Sequence, residues 1–368
     1  MKGKKISASL RLCGLIFLFA FSASAQWIKQ TVNTTASFRG LSVVSEKVIW
    51  ASGTGGTVIR TIDGGKKWDV IRVPDAAKLD FRDIEAFDEK IAYILSIGNG
   101  ETSRIYKTTD GGKTWKLQFK NTTEKAFFDA IACWDKNNCI AMSDPVDNRF
   151  VLIETKNGGA NWTPIDTSKM PATKEGEAAF AASGTCLITH GKNTAFLVSG
   201  GNDARVFRTN DRGKTWKVFD TPIMKGTAGS GIFSIAMWDE KWGLIVGGNY
   251  EKPTELTPYN YAVTENGGDL WQLQTKLPVS MYGRNTVTDT RLWGYRSVVA
   301  FVDKNVVIAA GSSGSDISRD GGKTWRGFGR EGFNAVGAKG ELAVWGVGPD
   351  GMVFHLTNLS ALLKEMDN

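Results

Sequence analysis

Short runs of β-forming residues alternate with polar and glycine-rich turns along most of the chain. The first unit of this pattern predicts four strands, at residues 40–44, 48–52, 57–61 and 67–73. Runs of about four to eight residues bounded by turn residues are typical of strands. Four antiparallel strands in a period of about 40–50 residues form one blade of a β-propeller, so the pattern predicts that fold.

One eight-residue motif recurs six times and supports this prediction. Its pattern is [Ser/Thr]-x-[Asp/Asn]-x-Gly-x-x-Trp, where x is any residue. Successive tryptophans of the motif are 47 to 55 residues apart. Asp or Asn can accept backbone hydrogen bonds in a tight turn, and Gly supplies the positive φ. We therefore interpret the Asp and Asn side chains as turn caps and the tryptophans as the first residues of outer strands. The pairs are Asp63 and Trp68, Asp110 and Trp115, Asn157 and Trp162, Asp211 and Trp216, Asn266 and Trp271, and Asp320 and Trp325.

The two ends of the chain supply the parts of one more blade. Trp27 opens a strand like those that follow the motifs, and residues 333–357 supply three strands with no motif after them. Pairing these pieces would close the ring and remove a free sheet edge. The sequence thus predicts an all-β fold, a single seven-bladed β-propeller of four-stranded antiparallel blades over residues 26–358. Residues 359–368 form a short tail, an amphipathic helix at most.

An aromatic residue opens each predicted inner strand, which gives an independent count of seven. Inner strands line the central channel, so the residue after each aromatic should lie in a ring around one mouth of the propeller. These ring residues are Arg39, Arg82, Asp129, Ala181, Ser234, Arg296 and Asn334. Turns that carry Asp144, Asn249 and Tyr250, and the connections 166–178 and 276–294, should open on the same face because adjacent strands alternate in direction.

Three arginines in this ring suggest a binding site. Unpaired Arg is disfavoured in a core, and guanidinium groups bind carboxylates and other anions well. The alternative is internal pairing with Asp83, Glu85, Asp129 or Asp144. The predicted partner-binding residues are Arg39, Arg82, Asp129, Asp144, Ser234, Asn249, Tyr250 and Arg296.

The first 25 residues have the parts of a secretory signal peptide. Four basic residues lie within the first eleven positions, residues 12–21 are apolar, and Ala23-Ser24-Ala25 precedes Gln26. An apolar run of this length is too short to span a bilayer. We therefore expect a cleaved leader and export to the periplasm or the cell exterior. No later run is long and apolar enough for a membrane span.

Charge and cysteine content narrow the function further. The chain has 45 Lys and Arg against 38 Asp and Glu, and removing the four basic residues of the leader lowers the net charge from +7 to +3. No basic stripe remains, so nucleic acid is a poor partner.

Cys133 and Cys139 flank a predicted turn and either form a cross-hairpin disulfide or remain free buried thiols. We assign Cys186 to the core, and we expect no metal site from the two histidines.

The six motifs are similar to Asp-boxes, the repeats of bacterial neuraminidases, which also occur in sortilin-type receptors and xyloglucanases within the wider WD40/YVTN-like superfamily. The form Thr-x-Asp-Gly-Gly-Lys-Thr-Trp, in an exported seven-bladed chain, most resembles the photosystem II stability and assembly factor family. The resemblance implies a non-enzymatic factor that binds a protein partner, an immature membrane protein, through an arginine patch. Arg39, Arg82 and Arg296 are candidates for such a patch, with an anionic ligand as the other kind of partner.

An enzyme is the alternative interpretation. Sialidases also carry Asp-boxes and hold a sugar carboxylate with three arginines, but they begin with Phe-Arg-Ile-Pro, whereas residues 38–41 read Phe-Arg-Gly-Leu. A sialidase-like or other glycoside hydrolase would need a nucleophile and an acid. The side chains available are Tyr282, Tyr295, Glu177 and Asp144. Some relatives of this shape carry an oxidoreductase label, yet the sequence has no GxGxxG fingerprint, and we predict no cofactor.

Overall fold

The described strands form seven separate antiparallel sheets, the blades of a propeller. The computed structural model describes residues 26–274 and 291–365 of the 368-residue chain. The seven sheets and their order along the chain confirm the predicted seven-bladed all-β fold. Residues 1–25, the predicted signal peptide, lie outside the described part of the chain, as does most of the predicted connection 276–294.

Blades 1 to 3 follow the predicted repeat closely. The strands of blade 1 are Phe38–Val43, Ile49–Gly53, Thr57–Thr61 and Asp69–Arg72. The strands of blade 2 are Phe81–Ala86, Ala92–Ser96, Arg104–Thr108 and Lys116–Lys120, with a 3-10 turn at Gly100–Thr102. The strands of blade 3 are Phe128–Asp135, Asn138–Val146, Arg149–Thr155 and Thr163–Pro164.

Blades 4 and 5 are joined by extra pairing. The strands of blade 4 are Leu187–His190, Thr194–Val198, Arg205–Thr209 and Lys217–Asp220. Blade 5 contains Ser230–Met237, Gly243–Asn249 and Tyr261–Thr264, and its fourth strand is reduced to a bridge between Val263 and Gln272. Two short strands, Glu177–Ala178 and Gly200–Gly201, extend this sheet beyond its inner strand.

The N-terminal strand closes the ring, as predicted. The strands of blade 6 are Val298–Phe301, Val307–Gly311, Gly314–Ser318 and Arg326–Gly329. Those of blade 7 are Ala335–Ala338, Val344–Val347 and Val353–Thr357, and Gln26–Lys29 pairs with the last of them. The buried Trp27 packs its ring on Phe328 and Phe333, which ties the closing strand to the last two blades.

The apolar core lies between adjacent blades rather than at the axis. One cluster joins Trp50 and Val58 of blade 1 to Phe81 and Ile94 of blade 2, and similar clusters fill the other interfaces. All six motif tryptophans pack against these clusters: Trp68, Trp115, Trp162, Trp216, Trp271 and Trp325. Each motif therefore anchors an outer strand to the interior of the ring.

The six motifs close their hairpins with one shared set of hydrogen bonds. In the second motif, Gly112 N donates to Thr108 Oγ1 at 2.8 Å and Thr114 N donates to Asp110 Oδ1 at 2.9 Å. Gly112 has a φ of 82°, which lies in the left-handed region of backbone conformation that favours glycine. The bonds from the Thr114 hydroxyl and backbone lower the pKa of Asp110 to about 2. The Asp and Asn side chains of the motifs thus serve as turn caps.

A disulfide joins the two inner strands of blade 3. Cys133 and Cys139 are opposite each other in the ladder, with Cα atoms 4.0 Å apart, and their sulfur atoms are bonded. Cys186 is free and fully buried, and burial raises the pKa of its thiol. At the C-terminus, the helix Leu359–Glu365 buries Leu359 and Leu362 against blades 6 and 7. Within residues 26–274 and 291–365, no helix is long and apolar enough to cross a membrane.

Candidate binding cavity at the propeller mouth

β-Bulges aim three predicted ring residues at the propeller axis. The ladder between the first two strands of blade 1 skips Arg39, and the corresponding ladders of blades 2 and 3 skip Arg82 and Asp129. A bulged residue is left unpaired, and the strand bends there, which re-aims its side chain. The same position in three successive blades therefore delivers two guanidinium groups and a carboxylate to one place.

These side chains line a cavity of about 560 Å³ at one mouth of the propeller. We call it the mouth cavity. Its charged and polar residues are Arg39, Arg82, Asp129, Asp144, Ser297, Ser312 and Asn334. Its apolar and aromatic residues are Phe127, Ala179, Phe180, Ala181, Ala182, Phe233, Tyr250, Tyr295 and Phe333. The predicted ring positions Arg39, Arg82, Asp129, Ala181 and Asn334 all contribute to it.

The two arginines of the mouth cavity retain donors for a ligand. Arg39 Nη1 donates to Ala182 O at 3.2 Å, and Arg39 forms no ion pair within the described part of the chain. Arg82 Nε pairs with Asp80 at 2.8 Å, and its Nη1 donates to Ala181 O at 3.2 Å. Burial, and then the charge of Arg82, lower the pKa of Arg39, so an anion between the two would be favoured.

Two acids of blade 3 share the mouth cavity with the arginines. Asp129 is 1% exposed, and Asp144 Oδ1 accepts a hydrogen bond from Ala179 N at 2.8 Å. Burial, and then the charge of Asp144, raise the pKa of Asp129 well above its usual range. Burial also raises the pKa of Asp144 to about 6. The pair therefore carries less negative charge near neutral pH than two exposed aspartates would.

An aromatic wall completes the mouth cavity. The rings of Phe180 and Phe233 stack with centroids 3.9 Å apart, and Tyr295 meets Phe233 edge to face at 4.7 Å. Tyr250 packs its edge on both phenylalanines and remains 49% exposed. The sequence identified Phe180, Phe233 and Tyr295 only as markers of strand starts. Phe233 lies within the first strand of blade 5, and Tyr295 lies just before that of blade 6. Phe180 lies well before the first strand of blade 4, Leu187–His190, so the strand start predicted at Phe180 is wrong.

Arg296 does not reach the mouth cavity, contrary to the expected ring of three arginines. It is 1% exposed, and its Nε donates to Asp316 Oδ2 at 2.6 Å in the third strand of blade 6. Its Nη1 donates to Tyr295 O and to Ser313 Oγ, both at 2.8 Å. Arg296 lies before the first strand of its blade, so no bulge turns it inward. The internal pairing considered for the arginines therefore applies to Arg296.

Two further predicted positions also lie outside the mouth cavity. In blade 5 the bulge falls on Phe233 and not on the next residue, so Ser234 is paired with Val246 in the ladder. The buried Ser234 hydroxyl accepts a hydrogen bond from Val299 N of blade 6 at 3.1 Å. Asn249 is mostly buried and accepts a hydrogen bond from Glu251 N, so it shapes the turn that presents Tyr250.

The described residues do not assemble the sialidase-like constellation. Glu177 binds Arg205 in a buried ion pair at 2.5 Å outside the mouth cavity. Burial raises the pKa of Tyr295, which opposes its use as a nucleophile. Tyr282 lies outside the described residues. In the part of the chain that the structure describes, no cluster of His, Cys, Asp and Glu could hold a metal ion.

Comparison with known proteins agrees with the repeat and with the fold. The BNR/Asp-box repeat family matches residues 106–117, which include the second motif. The chain carries the Asp-box repeat. No curated protein matches this sequence.

Solved structures show the same propeller fold. YCF48 bound to a D1 peptide is 17% identical with a TM-score of 0.61, covering 90% of this chain and 96% of that one. YCF48 from Cyanidioschyzon merolae is 18% identical with a TM-score of 0.59, covering 90% and 98%. The resemblance to the photosystem II assembly factor family is thereby confirmed at the level of the fold.

A glycoside hydrolase shares the fold as well. The GH74 enzyme of Niastella koreensis is 15% identical with a TM-score of 0.58, covering 89% of this propeller. This chain spans 53% of that enzyme's length. At such identities the likeness concerns the fold alone, and function has to be argued from the mouth cavity itself.

Proposed function

We propose that this protein is an exported, non-enzymatic binding propeller whose mouth cavity holds a carboxylate-bearing segment of a protein partner. The observation that carries the proposal is the pair of guanidinium groups, Arg39 and Arg82, beside an aromatic wall in a cavity of about 560 Å³. Arginine pairs bind carboxylates through charge-assisted hydrogen bonds. Stacked aromatic rings add apolar area for the neighbouring atoms of the ligand.

The surroundings of the mouth cavity favour a protein partner over a small anion. Tyr250 is 49% exposed at the rim, and Leu256 and Tyr259 of the same loop are 48% and 50% exposed. Large side chains exposed on a loop that contributes to a polar cavity are typical of protein-binding surfaces. That YCF48, a propeller of the same fold, has been solved with a D1 peptide adds support by analogy. Export rests on the signal-peptide pattern of residues 1–25.

Calorimetric titration with short peptides tests the proposal. The probe is acetyl-Ala-Ala-Phe with a free C-terminal carboxylate, compared with the same peptide as its amide. We expect the acid to bind and the amide to bind at least tenfold more weakly, because hydrogen bonds to a charged group contribute about 1.5–3 kcal/mol. A third peptide, acetyl-Ala-Glu-Phe amide, carries its carboxylate on a side chain and shows whether the terminus or a side chain is recognised.

Arginine variants assign the binding to the mouth cavity. Arg39→Gln and Arg82→Gln should each weaken binding of the acid peptide by about tenfold or more, since each removes a charged donor. Arg326→Gln is the matched control, because Arg326 is exposed on the outer strand of blade 6. Equal affinity for acid and amide, or an equal loss in the control, would contradict the proposal.

Co-purification from the native host extends the test to the partner itself. An Arg39→Glu/Arg82→Glu double variant should lose a partner that the wild-type chain retains, because the reversed charge repels a carboxylate. A partner set that does not change would exclude the mouth cavity as the contact. Circular dichroism of the double variant shows whether the fold is intact.

A further inference from the structure

Asp129 and Asp144 form an unusual pair within the mouth cavity. They lie on the two neighbouring strands Phe128–Asp135 and Asn138–Val146 of blade 3, and both line the cavity that contains Arg39 and Arg82. Asp129 Oδ2 is buried and has no hydrogen-bond partner within residues 26–274 and 291–365. A buried carboxylate oxygen without a donor, next to a second carboxylate, is costly while both groups are ionised.

Other charged groups around the pair do not neutralise it. Asp144 has no ion pair in the described part of the chain, and neither does Asp129. The groups that interact with the pair electrostatically or share its cavity are Arg82 of blade 2, Arg39 of blade 1, the buried thiol of Cys186, and the hydroxyl groups of Tyr250 and Tyr295. Arg82 favours ionisation of Asp129, whereas burial and Asp144 oppose it more strongly.

We propose that the Asp129–Asp144 pair takes up a proton when a carboxylate binds beside Arg39 and Arg82, and so makes anion binding in the mouth cavity depend on pH. This inference rests on the proposed function. The proton comes from solvent and binds a carboxylate oxygen of the pair, and no bond of the ligand forms or breaks. The protonated pair no longer repels the incoming anion, and its O–H group supplies the donor that Asp129 Oδ2 lacks.

The titration of the pair falls in a range where this uptake can be measured. Burial raises the pKa of Asp144 to about 6. Burial and the charge of Asp144 raise the pKa of Asp129 well above its usual range. A bound anion raises both again, because a nearby like charge disfavours ionisation. The carboxyl group of a free peptide titrates near pH 3.5, so it contributes nothing between about pH 5.5 and 7.5.

Calorimetry of the full chain with acetyl-Ala-Ala-Phe measures the proton directly. Titrations at one pH in buffers of different ionisation enthalpy should show uptake of up to one proton per peptide near pH 7. The dissociation constant of the peptide should rise between pH 5.5 and 7.5. The rise should approach tenfold per pH unit between the pKa of the pair in the free protein and its higher pKa in the complex. Wild-type binding that shows no buffer dependence and no pH dependence would overturn the inference.

Asp144→Asn identifies the group that takes up the proton. The asparagine oxygen can still accept the hydrogen bond from Ala179 N, so the strand geometry is retained. We expect tighter binding at pH 7.5 and a flat pH profile, a change that a merely structural residue would not produce. Asp147→Asn is the control, because Asp147 is an exposed residue of the same hairpin, outside the mouth cavity, with a φ of 52° that Asn tolerates.

The two proposals fail in different ways. Peptide binding that depends on Arg39 and Arg82 but keeps its wild-type pH slope in Asp144→Asn and in Asp129→Asn overturns the proton uptake alone. Peptide binding that is absent at every pH, or that is indifferent to the arginine variants, overturns the proposed function and this inference with it. Asp129→Asn provides the second variant should Asp144→Asn fold poorly.

Discussion

Single buried residues of the inner strands connect neighbouring blades. Asp83 is 5% exposed, and its two oxygens accept hydrogen bonds from Ile84 N at 2.8 Å and from Ile131 N of blade 3 at 2.7 Å. Burial raises the pKa of Asp83 to about 7 against the lowering effect of these two bonds. Burial, and then the charge of Asp83, raise the pKa of Glu85 as well. Stability should therefore depend on pH near neutrality.

The sign of that dependence follows from the raised pKa of Asp83. Between about pH 4 and 7 the folded chain holds a proton that the unfolded chain has lost, so the free energy of unfolding falls as pH rises. Asp83→Asn removes this titration. From pH 5 to 7 the wild type should lose stability relative to the variant by up to about 1.4 kcal/mol per pH unit.

Urea denaturation at pH 5, 6 and 7 checks this prediction. Asp75→Asn serves as the control because Asp75 is an exposed turn residue with a φ of 56°. Parallel pH profiles for the wild type and Asp83→Asn would show that Asp83 is ionised throughout the range.

At the scale of the element, the Asp-box does more than close a hairpin. The glycine three residues before the tryptophan of each box packs onto the preceding blade, for example Gly159 on Tyr93 and Gly268 on Phe196. In the sixth box a Cβ atom on Gly322 would overlap Leu244 Cδ2 of blade 5. The box thus needs glycine at this position for two reasons: the positive φ of the backbone and the close contact between blades.

Gly322→Ala should therefore destabilise the propeller more than an ordinary turn substitution. Gly340→Ala is the matched control, since Gly340 has a φ of 76°, close to the 93° of Gly322, but nothing lies within 4 Å of an added Cβ. Because of overpacking, Gly322→Ala should lower the free energy of unfolding by about 1–3 kcal/mol more than Gly340→Ala does. Equal losses in denaturant titrations would mean that backbone strain alone explains the glycine.

At the scale of the whole molecule, the ring depends on the pairing of its two ends. Gln26–Lys29 pairs with Val353–Thr357, and Trp27 Nε1 donates to Ser315 Oγ of blade 6 at 3.1 Å. Closure removes the open edges that a propeller would otherwise present. The closing strand is short, so its attachment relies on the packing of Trp27.

Trp27→Ala tests ring closure. Removing a buried indole should lower the free energy of unfolding by about 3–5 kcal/mol. Leu342→Ala, at a side chain that is 68% exposed, should change it little. Hydrogen exchange followed by mass spectrometry should also show faster exchange in both Gln26–Lys29 and Val353–Thr357. A loss of stability without faster exchange in these two strands would place the effect elsewhere.

Local chemistry by itself determined the architecture of this protein. Asp-box turns, their period and the recurring aromatic residues are each readable along the chain, because a turn and a strand depend on residues close in sequence. Which side chains enter the mouth cavity was decided only by the tertiary structure. The bulge on Phe233 leaves Ser234 paired in the ladder, with its side chain outside the mouth cavity. Arg296 forms a buried ion pair with Asp316 and does not line the cavity. Side-chain direction alternates with every residue of a strand, so a displacement of one position separates a ligand-facing residue from a buried one.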